Sequence, residues 1–163
     1  MLRIGLDCDE VISEFMRPYI ERFGIPKDDY EITYRCYHSL RYDKDFWMNV
    51  PLLHIPDFIP ILFCSKRIHN KNWSKKYIEK NLGITNVPFY QIYYQYGSKA
   101  PLIKGRCDVF IDDSISNFID LNKKGIPCLL MDSPYNKSFK TPLRIYSLKY
   151  KEIEYTYNKV FKK

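Results

Sequence analysis

Short apolar runs that stop abruptly at polar residues recur along this chain, and amphipathic segments separate them. Leu2 to Leu6, Ile59 to Cys64, Phe89 to Tyr94, Val109 to Ile111 and Cys128 to Met131 each read as a buried strand. A last small strand is expected near Arg144 to Tyr146. Between them, Val11, Ile12, Phe15, Met16 and Ile20 follow helical spacing from about Glu10, with Gly24 as a stop and Pro18 expected to bend or interrupt the helix. Trp73 to Leu82 closes at Gly83, and Ser114 to Lys124 closes at Gly125. Ser98 to Lys104 reads as a short helix or turn, and Ser147 as the N-cap of a terminal helix. Strands that alternate with helices predict an α/β fold: a Rossmann-like, three-layer α/β/α core around a mostly parallel five-stranded sheet. Residues 26 to 54 keep neither period and read as an irregular insertion with one short helix around Asp43 to Met48.

With 163 residues, 45% hydrophobic and 28% charged, the chain is expected to form one globular domain. Its apolar runs are strand-sized, far below the roughly 20 residues of a membrane span. A first strand beginning by residue 2 leaves no room for a signal peptide. Cys8, Cys36, Cys64, Cys107 and Cys128 are odd in number and lack C-x-x-C spacing, which predicts reduced, buried thiols in a cytoplasmic protein. His38, His54 and His69 lack ligand spacing and read as surface or structural residues. A net charge of +7 favours anionic partners: phosphorylated small molecules, nucleotides or nucleic acid. Much of the excess sits in lysine-rich helices and the tail, which read as a solvated face. Nothing in the sequence predicts a membrane partner, and homodimerisation is left open.

The strand ends carry the chemistry. Asp7 and Asp9 follow the first strand, Ser65, Lys66 and Arg67 the second, Ser98 and Lys99 the third, Asp112 and Asp113 the fourth. In a parallel sheet these ends share one edge, so residues distant in sequence converge on one crevice. Two carboxylates one residue apart are costly unless a cation or substrate shares them. Carboxylates, a hydroxyl and cations together suit Mg²⁺-assisted phosphoryl transfer: hard oxygens hold the metal, a carboxylate attacks phosphorus, and the cations offset developing charge. Taken alone, Asp112-Asp113-Ser114 also reads as a helix N-cap.

Jointly these residues resemble the haloacid dehalogenase (HAD) superfamily of phosphatases, most closely its 5′(3′)-deoxyribonucleotidase group. The resemblance rests on Asp7-Cys8-Asp9-Glu10-Val11, Ser65-Lys66-Arg67, Lys99, Ile111-Asp112-Asp113-Ser114 and the trailing Leu130-Met131-Asp132-Ser133-Pro134-Tyr135-Asn136. It implies Asp7 as nucleophile and Asp9 as general acid and base. It implies Mg²⁺ held by Asp7, the backbone carbonyl of Asp9, and Asp112, with Asp113 assisting. Ser65, Lys66 and Lys99 would bind phosphate; Lys104 also precedes strand four, but Lys99 lies nearer the end of strand three. Glu10 stands where the family usually has glycine or another small residue. The segment of about residues 13 to 54 occupies the place of a cap. Phe15, Arg17, Phe46, Trp47 and Arg67 are then candidates to contact substrate by stacking or by binding phosphate or a base edge. The implied activity is hydrolysis of nucleoside monophosphates. A polynucleotide phosphate is the alternative substrate, and a catalytically silent nucleotide- or protein-binding module is the alternative from another class.

Overall fold

The computed structural model describes residues 1–93 and 97–162. Six strands form one parallel sheet: β1 (Ile4–Leu6), β2 (Leu62–Lys66), β3 (Phe89–Ile92), β4 (Val109–Asp112), β5 (Cys128–Met131) and β6 (Arg144–Ile145). Their spatial order is β3-β2-β1-β4-β5-β6, with Leu6 paired to Phe63 on one flank and to Ile111 on the other. The chain therefore steps outward from β1 to β3, then returns to lay β4 on the opposite side of β1. The carboxyl ends of β1 and β4 flank the point where strand order reverses, the crevice in which open α/β sheets place their ligands.

Alternation along the strands divides the core into two layers. Ile4, Leu6, Phe63, Val109 and Ile111 face one side, where α4 (Lys71–Leu82) and α7 (Tyr150–Phe161) cover them through Tyr77, Ile78 and Ile153. Leu62, Cys64, Phe110 and Leu130 face the other, under α5 (Ala100–Ile103) and α6 (Ile115–Lys123). Gly5 permits this spacing: a Cβ there would lie 2.8 Å from the Phe110 ring and 3.0 Å from Leu62. All five cysteines are buried and unbonded to one another. Among the described residues, no helix is long and apolar enough to cross a membrane.

Several expectations need correction. The sheet has six strands rather than five, because the short Arg144–Ile145 segment pairs in register with Leu130 and Met131. The second strand begins at Leu62, not Ile59, since Pro60 cannot donate to the ladder and Ile59 and Ile61 are exposed. Ser65 and Lys66 thus lie within β2. Tyr94, the expected end of the third strand, lies outside the described residues. No helix starts at Glu10. Residues 9 to 12 turn instead, with Ile12 and Ser13 N–H both donating to the Cys8 carbonyl at 2.8 and 2.9 Å. The helix α1 runs Met16–Phe23, placing Pro18 in its first turn, where the missing N–H costs nothing. Ser147 does not cap α7: Lys149 holds that position, and the Ser147 hydroxyl donates to Glu152.

The insertion is more regular than its sequence suggests. It holds α1, α2 (Asp29–Arg35), a π-helical stretch at Cys36–Leu40, and α3 (Lys44–Asn49), close to the short helix expected around Asp43 to Met48. Asp28 and Asp43 cap α2 and α3 by accepting from the N–H groups of Glu31 and Phe46 at 2.8 and 2.9 Å.

Candidate active site

Asp7 follows β1 directly, and its N–H donates to the Ile111 carbonyl at 2.9 Å, so β4 carries it to the edge beside Asp112. Lys99, at the start of α5, reaches between the two. Its Nζ lies 2.7 Å from Asp7 Oδ2 and 2.7 Å from Asp112 Oδ2, and it is almost completely buried. Cys8 N–H donates to Asp7 Oδ1 at 2.7 Å, and the Ser114 N–H and the Asn117 amide donate to Asp112. Lys104, the other lysine before β4, ends α5 and makes neither contact.

Charge at this cluster is unbalanced. Burial pushes the Asp7 carboxyl up to about 6; Lys99 pulls it down and Asp112 pushes it back. Burial and the neighbouring carboxylates Asp112 and Asp7 raise Asp113 well above the ordinary carboxylate range. Burial opposes the charge on Lys99, yet Asp112 and Asp7 outweigh it and hold the ammonium above its usual range. The Lys99 ammonium bonds two of these three carboxylates, Asp7 and Asp112. Oxygens of Asp7, Asp112 and Asp113 lie within 4.8 Å of one another, the one such His/Cys/Asp/Glu group among the described residues. A hard, oxygen-only donor set short of positive charge fits Mg²⁺.

Asp9 stands apart from that group. Arg67 clasps both of its oxygens, Nε to Oδ2 at 3.0 Å and Nη2 to Oδ1 at 2.5 Å. The Arg67 side chain is buried, and desolvation is outweighed by Asp9, so its pKa stays above the usual range. The other bonds of Arg67 have a forced direction, because a guanidinium only donates. Nη2 donates to Ser13 Oγ at 3.0 Å, and Nη1 donates to Ser74 Oγ at 3.2 Å. The Ser74 hydroxyl can then donate to His69 Nε2 at 3.3 Å, which places the ring proton on Nδ1, 2.9 Å from the Asn70 carbonyl. Burial, and then Arg67, lower the His69 pKa to about 3, so its ring is neutral. It lies against Trp47 and Trp73, with ring centroids 4.2 and 5.7 Å away. His69, expected to be a surface or structural residue, is buried.

The remaining expected residues divide. Ser65 is buried in β2 opposite Gln91, and Lys66, half-buried at the strand end, has its pKa lowered by burial and by Lys99. Phe15 stacks on Trp47 with centroids 5.5 Å apart and planes 7° apart, and Phe46 meets both rings edge-on. Trp47 is buried and donates its Nε1–H to the Leu40 carbonyl at 2.8 Å, a packing role within the insertion. Arg17 is half-exposed and pairs with Glu14, just before α1, and with Glu21 within it. Glu10 takes φ +56, the left-handed region in which glycine is at ease, at a cost of about 1 kcal/mol for another residue. Its carboxylate accepts from the Met16 N–H at 2.7 Å, and burial raises it to about 7.

Ser74 and Asn117 escape sequence reasoning, whereas Asn136 is legible only as the end of the trailing motif. Ser74 and Asn117 lie in the first turns of α4 and α6, where a polar residue reads as helix-end decoration until the strand ends beneath are located. Asn136 donates to the carbonyls of Asp113 and Met131 at 2.8 and 2.7 Å and pins its loop beside the acidic edge. No protein-family model matches this chain, and no curated protein matches it either.

Proposed function

We propose that this chain is a Mg²⁺-dependent phosphomonoester hydrolase of the HAD type, acting on nucleoside monophosphates through an aspartyl-phosphate. The observation that carries the reading is the Asp7–Lys99–Asp112 arrangement, with Asp113 beside it, at the strand-order reversal of a parallel sheet. Asp7 would attack phosphorus while the ester P–O bond breaks and the leaving oxygen takes a proton from Asp9. Water would then attack the acyl phosphate, giving its proton to Asp9 and releasing inorganic phosphate with Asp7 restored. Lys99 fixes Asp7 and Asp112 at that centre, and Ser65 and Lys66, at the C-terminal end of β2, would bind the phosphoryl oxygens. Asp7, Asp112 and Asp113 would hold Mg²⁺, which when bound supplies charge neutralisation for the transferred group. The five buried thiols accord with a reducing, cytoplasmic setting.

The test is hydrolysis of p-nitrophenyl phosphate and of a nucleotide panel with and without Mg²⁺. Turnover that needs the metal and disappears in Asp7→Asn is expected; an inactive wild type, or an active Asp7→Asn, overturns the reading. One observation favours the silent binding module as a second reading: Arg67 engages both oxygens of Asp9, so proton transfer requires one of these bonds to yield. Ligand binding without any turnover is its signature.

A further inference from the structure

A hollow of about 460 Å³ lies between Arg41 and Tyr42, where the chain leaves the π-helical stretch, and Lys71 at the start of α4. Ile68, Trp73 and Tyr93 form much of the rest of its wall. Its rings are uncovered: Tyr42 is 81% exposed and Tyr93 is 53% exposed, whereas Phe15 and Trp47 of the same insertion are buried. Its charge is of one sign. Arg41 and Lys71 line it, and among the described residues no carboxylate does. The other three arginines of the insertion each pair with a carboxylate: Arg17 with Glu14, Arg22 with Asp43 and Arg35 with Glu31. Arg41 instead lies over two rings, 5.0 Å from the centroid of Tyr37 and 5.3 Å from that of Tyr42.

Uncovered rings beside cations that no carboxylate neutralises suit a ligand with planar faces and regularly placed negative charge. A nucleic-acid strand has both, since every base offers a π-face and every linkage a phosphate. The hollow shares Ile68 and Tyr93 with a neighbouring one, which Lys66 and Arg67 also line, so the basic and aromatic lining continues past a single hollow. In a duplex the base faces are stacked on one another and closed to protein rings; in a single strand they are open. We propose that this tract is a docking surface for single-stranded nucleic acid. Tyr42 and Tyr93 stack on bases, and Arg41 and Lys71 meet the backbone phosphates. The surface does not call on Asp7, Lys99 or Asp112, so it stands or falls separately from the hydrolase reading.

Fluorescence anisotropy with the full chain in EDTA tests this. The ligand is an oligothymidylate of about twelve nucleotides. It carries no terminal phosphate, so the Asp7 centre has no monoester to take. The matched duplex and an abasic strand of equal length are compared with it. The thymidylate strand is expected to bind about tenfold tighter than either. Tyr42→Ala should weaken that strand about tenfold and leave the abasic strand unchanged, the sign of a lost stacking face in an intact fold. Arg41→Gln/Lys71→Gln should weaken both strands and flatten the dependence of affinity on salt. No binding of the thymidylate strand overturns the proposal. So does binding of the duplex or the abasic strand as tightly, or a thymidylate affinity that either variant leaves unchanged.

Discussion

The sheet edge and the insertion that faces it are held together by different physics. At the edge, Asp7, Lys99 and Asp112 are buried charges whose attraction must offset their lost hydration. In the insertion, stability comes from rings: Phe15 on Trp47, Phe15 against Tyr19, and Trp47 over His69. Its ion pairs, Arg17 with Glu14 and Arg22 with Asp43, are at least partly solvated, and α2 buries no residue fully. The contrast implies that the edge tolerates almost no change in charge, whereas the insertion tolerates charge changes and resists loss of aromatic volume.

Lys99→Met should break the comparison hardest. It strands two buried carboxylates without their cation, which costs about 3–5 kcal/mol. A denaturant midpoint close to wild type would show that the edge is not under electrostatic load. Trp47→Ala should cost about 3 kcal/mol from the insertion through cavity formation and loss of the Leu40 bond. An effect below about 1 kcal/mol would mean that the rings are not what holds it.

The boundary between the two regions gives a pH signature through His69. Its folded pKa, about 3, is depressed below the ordinary value of 6.5. The unfolded chain therefore gains a proton below 6.5 that the fold refuses, so this contribution is complete above 6.5 and is lost as pH falls toward 3. Between about pH 7 and about pH 5, wild type should lose about 2 kcal/mol more stability than His69→Gln. Parallel pH profiles for the two proteins would remove His69 from the account. Smallest of all, Arg17→Ala should change stability by less than about 0.5 kcal/mol, since its ion pairs are solvated. A larger loss in the same denaturation assay would make the charges of the insertion as consequential as those of the edge.

These regions also differed in how legible they were. Asp7 and Asp112 were readable because each follows an apolar run whose direction and length fix where it ends, and parallel pairing then brings the two ends together. Lys99 was readable as a cation near that edge, though not as the bridge between both carboxylates. The partner of Arg67 was not readable, since Asp9 lies 58 residues away and only the β2 register and the turn at Glu10 bring them together. The insertion was hardest. With no fully buried residue, α2 carries no apolar stripe, and Val11, Ile12 and Phe15 show helical spacing yet are buried from a turn and a helix cap. The short strand near Arg144 was readable, but not that its two residues would pair with β5 and add a sixth strand to the sheet.

The central claim is that Asp7 receives the phosphoryl group, and chemical trapping tests it most directly. Wild-type protein mixed with p-nitrophenyl phosphate and Mg²⁺, quenched in acid and digested, should yield a phosphorylated peptide. The group should map to Asp7 by mass spectrometry, be labile to alkali, and be absent from Asp7→Asn. Hydrolysis that proceeds with no phosphoryl group on Asp7, or with the group on another residue, would contradict the account.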